Sequence, residues 1–124
     1  RYGLMAGEKG QTRIDLALLD PDGTFPARLA GDRDVLAGYA DGLWTLEAGA
    51  LRERLREIAT LAHRLAGAAG TFGYPGVSDA ALALEDQILD RPPGEDLSMS
   101  QAPVRQAMDA LVGALEDALV RAKR

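Results

Sequence analysis

The stretch LRERLREIATLAHRLAGAAGTF, residues 51–72, decides the fold. Its apolar residues Leu51, Leu55, Ile58, Ala62, Leu65, Ala69 and Phe72 recur at alternating intervals of four and three. A helix with 3.6 residues per turn brings such positions onto one stripe. The spacing therefore predicts a helix from about Leu51 to Phe72, packed in a bundle.

Three further seams share this period. Val77, Ala81, Leu84 and Ile88 follow the break Gly73-Tyr74-Pro75-Gly76, and Val104, Met108, Leu111, Leu115 and Ala118 lie near the C-terminus. The last helix ends in Arg121, Lys123 and Arg124, cations placed where the helix dipole favours them. Within it, Arg105 with Asp109 and Asp117 with Arg121 stand four apart with opposite charge, so weak ion pairs are expected. Upstream, Leu36, Tyr39, Leu43 and Leu46 predict another helix, with Asp32 or Asp34 as its N-cap. Asp90-Arg91-Pro92-Pro93-Gly94 cannot continue a helix and predicts a loop.

The expected fold is all-α, an antiparallel up-down four-helix bundle over residues 26–124. Residues 1–25 are expected to form an N-terminal segment. There Asp20-Pro21-Asp22-Gly23 is a strong turn signal. Arg13 to Leu19 before it is expected as a short capping helix or an irregular stretch.

Composition agrees with helices around one core. Ala and Leu dominate and only 5% of residues are aromatic, a balance that suits helix formation. A chain of 124 residues can bury a core without disulfides or metal. The net charge of −5 disfavours nucleic-acid binding and attachment to an anionic membrane surface. With no cysteine, disulfide scaffolds and thiolate metal sites are excluded. No apolar stretch is long enough for a bilayer span and no signal-peptide pattern opens the chain, so a cytoplasmic location is expected. The chain begins with Arg1 rather than Met. It is expected to be a segment of something longer or a processed product, monomeric or one module of a larger protein.

His63 is the one histidine. It follows the seam residue Ala62, so it turns about a hundred degrees out of the packed stripe. Its helical neighbours are Ala59 and Thr60 behind and Ala66, Gly67 and Gly70 ahead, nearly all small. Each glycine costs the helix about 1 kcal/mol relative to alanine. Two such costs beside an exposed imidazole suggest that something bulky approaches there, such as phosphate or a partner's backbone. A solvated histidine on a helix whose glycines serve close packing has the same spacing, and the residues alone leave both readings open.

Other chemistries fit less well. No second His or Cys completes a metal site. None of Ser78, Ser98 and Ser100 stands in a nucleophile context for a Ser-His-Asp triad. A Gly-rich phosphate loop with a following Lys is missing, which argues against a nucleotide-binding kinase core.

The run from Leu61 to Glu85 resembles the core of a histidine phosphotransfer (HPt) domain. The shared pattern is Ala62-His63, a hydrophobic Leu65, Gly67 four after the histidine, then small residues and Gly73 before a Leu84-Glu85 helix. The resemblance implies a phosphorelay carrier rather than an enzyme. His63 would accept a phosphoryl group and exchange it with the receiver-domain Asp of a response regulator, and Gly67 would leave room for the group. It also implies that a histidine kinase and a receiver domain are the partners, and that Mg²⁺ and the catalytic residues belong to the partner, so no cofactor is expected here. Phosphate access and partner docking are expected at Thr60, Arg64, Ala66, Gly67 and Gly70. One departure stands out: the family usually carries Lys three residues after the histidine, where this chain has Ala66. Arg64 and Arg56 are nearby cations, neither at the matching place. The alternatives are a phosphorylation-silent module that binds a receiver or another signalling partner, and a structural bundle in which His63 is incidental.

Overall fold

In a computed structural model of the chain, residues 19–90 and 101–123 are described. Their four helices are α1 (Phe25–Ala40), α2 (Ala48–Thr71), α3 (Pro75–Leu89) and α4 (Gln101–Ala122). The expected loop at Arg91–Gly94 and all but Leu19 of the expected Arg13–Leu19 segment lie outside the described residues.

Helix α2 starts three residues before the sequence seam does, because the Glu47 side chain accepts the Ala50 N–H at 2.6 Å and caps it. Its seam residues from Leu51 to Ala69 are all buried. At its other end Phe72 N–H reaches Ala68 O at 3.0 Å and Tyr74 N–H reaches Ala69 O at 2.8 Å. Between them Gly73 takes a φ of +91°. This is a Schellman stop, in which a left-handed residue lets the chain turn back and satisfy the last carbonyls. Pro75 then starts α3, whose fixed φ and missing N–H suit a first helical position. Val77, Ala81, Leu84 and Ile88 of α3 are buried, as are Val104, Met108, Leu111, Leu115 and Ala118 of α4.

Helix α1 differs from expectation at both ends. It begins at Phe25, so Asp32 and Asp34 are interior residues and not caps. The start is set by the Asp20–Gly23 turn, where Gly23 N–H bonds Asp20 O at 2.9 Å and the Asp20 carboxylate accepts the Phe25 N–H at 2.9 Å. The helix also stops at Ala40, before Leu43. Gly42 turns at φ +68° into a short 3₁₀ turn, Leu43–Thr45, closed by Thr45 Oγ1 donating to Gly42 O at 2.7 Å. The Leu36–Leu46 seam is thus two elements: Leu36 and Leu43 both reach the core, by different backbone paths.

Cross-helix contacts give the topology. Phe25 stacks on Phe72 and Arg54 lies over Tyr39, so the start of α1 meets the end of α2. His63 meets Glu85 and Ala66 meets Ser78, an antiparallel pairing of α2 with α3. Arg121 near the end of α4 lies over Tyr74 just before α3, and α4 also packs on α1. The helices therefore run up and down and close into a four-helix bundle. The ion pair expected between Asp117 and Arg121 is replaced by this contact, in which the guanidinium also reaches Gly73 O at 3.5 Å. A cation over an aromatic face, with a carbonyl to bond, offers more than an exposed carboxylate.

Candidate functional site

His63 stands on α2 at the α2–α3 groove with its side chain 73% exposed. The ring does not rotate freely. Its Nδ1 lies 2.9 Å from Oε2 of Glu85, whose own side chain is only 16% exposed. A carboxylate can only accept, so in the neutral ring a proton on Nδ1 donated to Glu85 leaves the lone pair on Nε2. The contact favours one ring orientation and that tautomer.

The ring borders a groove of about 310 Å³ lined by Arg56, Ala59, Thr60, His63, Glu85 and Leu89. Side chains on a helix lean toward its N-terminus, which places this groove on the Thr60 side of His63. Thr60 returns its hydroxyl to Arg56 O at 3.0 Å. On the far side, Gly67 is exposed, and a Cβ added there would meet nothing within 4 Å. Open space thus flanks the ring both ways along the helix.

Of the remaining candidate residues, Ala66 and Gly70 lie at the α2–α3 contact. Ala66 is buried at 6% exposure, and its carbonyl accepts the Ser78 hydroxyl at 2.8 Å, so it faces α3. A Cβ on Gly70 would come within 3.4 Å of Ser78 Oγ, making that glycine part of the helix–helix contact. The Arg64 charge acts across on Asp32 of α1. Asp32 is nonetheless pushed above the ordinary carboxylate value, because its burial outweighs the nearby Arg28 and Arg64 charges. Among the described residues no group of three or more His, Cys, Asp or Glu is arranged to hold a metal.

The Hpt domain family model matches residues 34–123. The chain belongs to this family. No curated protein and no solved structure matches it in the corresponding comparisons. Hpt domains serve phosphotransfer in two-component signalling, interacting with kinases and response regulators, and they are phosphocarrier modules rather than catalysts. No helix among the described residues is long and apolar enough to cross a membrane.

The residue that sequence reasoning missed in this Hpt domain is Glu85. Its contact with His63 joins residues 22 apart, so no periodicity within one helix reveals it. The signal was the turn: His63 and Glu85 stand eleven residues either side of Tyr74, so a chain folded back there brings them face to face.

Proposed function

We propose that His63 is the phosphoryl acceptor of this domain, exchanging the group with the receiver-domain Asp of a response regulator that a histidine kinase feeds. The observation that carries the reading is the His63–Glu85 pair, an exposed imidazole with one nitrogen engaged and the other left as nucleophile. In the step, the Nε2 lone pair attacks phosphorus while the P–O bond to the receiver carboxylate breaks, and that carboxylate leaves with the electron pair. The transition state is loose and in line, so positioning and charge supply most of what is needed. Forming the P–N bond makes the neutral ring cationic, with its proton still on Nδ1. The Glu85 carboxylate faces that developing charge and stabilises it. The reverse step returns the group to the Asp, and the domain keeps nothing.

Thr60, Gly67 and the exposed ring form the approach surface in this reading. Ala66, in place of the usual Lys, contributes packing. The carrier unit, expected over residues 26–124, also takes in Phe25 at the start of α1.

Incubation with a phosphorylated receiver, or with a kinase and labelled ATP, tests this. Acid-labile label is expected on the parent and none on His63→Gln. Receiver binding without label on either protein would favour the silent-binder reading, and neither label nor binding would leave a structural bundle.

A further inference from the structure

Phosphorylation places a doubly negative group in a groove that already contains the Glu85 carboxylate. With Ala66 buried against α3, no cation stands one turn beyond the histidine. We propose that Arg56, nearly two turns before it, is the residue that contacts the phosphoryl group on His63. This rests on His63 being the acceptor.

Arg56 and His63 are seven residues apart, about 20° short of two full turns, so they share a face of α2 about 10 Å apart along the axis. Both line the same groove, on the side toward which the ring leans. The Arg56 side chain is 69% exposed and engages Glu53 at 2.9 Å, itself 66% exposed. An exposed pair of this kind is weak, and a phosphoryl dianion draws a guanidinium more strongly than one carboxylate does. The long stem lets the head group swing from Glu53 toward the ring without moving the helix. Among the described residues, Arg56 is the cation that lines the groove, while Arg54 pairs with Glu57 at 3.2 Å and lies over Tyr39, and Arg121 sits over Tyr74 at the opposite end of α3 from Leu89.

The test uses the whole 124-residue chain and zwitterionic phosphoramidate, a donor that needs no partner protein. Nε2 forms the new P–N bond as the donor's own P–N bond breaks and ammonia leaves. Phosphohistidine formation is followed by ³¹P NMR for the parent, Arg56→Ala, Arg56→Lys and Arg105→Ala. At low ionic strength Arg56→Ala is expected to react about three- to fivefold more slowly, the size of one exposed charge pair, and the gap should close in high salt. Arg56→Lys should recover most of the rate, Arg105→Ala on α4 should match the parent, and the phosphohistidine resonance should move in Arg56→Ala alone. Rescue by Lys and the salt series read the charge even where alanine alters helix stability. Equal rates and an unmoved resonance in Arg56→Ala overturn the role of Arg56 and leave His63 as acceptor. No phosphohistidine on the parent removes both.

Discussion

Gly67 separates two uses of a small residue on one helix. A glycine kept for packing has a neighbour where its Cβ would go, as Gly70 has in Ser78 at 3.4 Å, whereas Gly67 has none within 4 Å. Gly67→Ala is therefore expected to raise stability by about 0.5–1 kcal/mol, the helix-propensity difference, with Gly70→Ala gaining less. Gly67→Leu should also melt at or above the parent temperature while losing phosphotransfer, because its side chain fills the space beside the ring. Thermal circular dichroism run beside the transfer assay checks both, and unfolding of Gly67→Leu would mean the site serves packing after all. Asp32 gives a second test at this scale. Burial raises its carboxyl above the ordinary 3.8, so the folded chain holds that proton more tightly than the unfolded chain. The stability it contributes is complete below that ordinary value and is lost as pH rises through the folded-state value. Asp32→Asn avoids the loss. Its melting-temperature advantage over the parent should be larger at pH 7 than at pH 3, and an advantage that shrank over that range would contradict the burial argument.

Each helix owes its limits to a few residues at its ends, and these were less visible in the sequence than its seam. The α2, α3 and α4 stripes were legible because every seam residue from Leu51 to Ala118 answers to one period. The α1 stripe misled because Leu43 continues the three-and-four rhythm of Leu36 and Tyr39 although Gly42 has broken the helix. Periodicity records which residues reach the core, and a 3₁₀ turn can deliver one as well as a helix can. The same limit applies to the site. His63 stood out as a lone imidazole among small residues, but its partner Glu85 belongs to another helix and becomes visible only when the turn is known. That turn is testable at Gly73, whose φ of +91° is outside the range that L side chains readily adopt. Gly73→Ala is expected to destabilise the fold by about 1–2 kcal/mol, read by urea unfolding. Any shift of α3 that follows should also loosen the His63–Glu85 contact, so transfer should slow in the same variant. A Gly73→Ala protein as stable as the parent would show that the turn relaxes to another conformation.

At the scale of the molecule, one face and one end of the bundle do different work. The α2–α3 face carries the His63 groove, flanked by the exposed Leu89. The end where α1 starts and α2 stops is closed by aromatic rings. Phe25 stacks on Phe72 at 4.5 Å between centroids and approaches Tyr74 at 5.6 Å, while Arg28 and Arg121 lie over the rings from outside. Burial raises the Tyr74 hydroxyl above its ordinary range, with Arg121 opposing the shift, so the ring belongs to the closed end. The family match begins at residue 34, yet α1 begins nine residues earlier, and Phe25 and Leu29 in that extra length are 3% and 0% exposed. Burying one such side chain stabilises by about 1.5–3 kcal/mol, and an aromatic pair adds about 0.5–1.5 kcal/mol. Together they approach the 5–15 kcal/mol that typically holds a whole domain folded. A chain starting at Asp34 is therefore expected to lose its cooperative melt, whereas one starting at Leu19 keeps the Asp20 cap and should still unfold in a single transition. Phe25→Ala, which removes the ring and leaves the helix, should fall between them at about 3–5 kcal/mol below the parent. Thermal and urea unfolding of the three proteins ranks them. A cooperative Asp34 chain would place the first turns of α1 outside the folding unit and leave the aromatic end as decoration on a core that α2, α3 and α4 already complete.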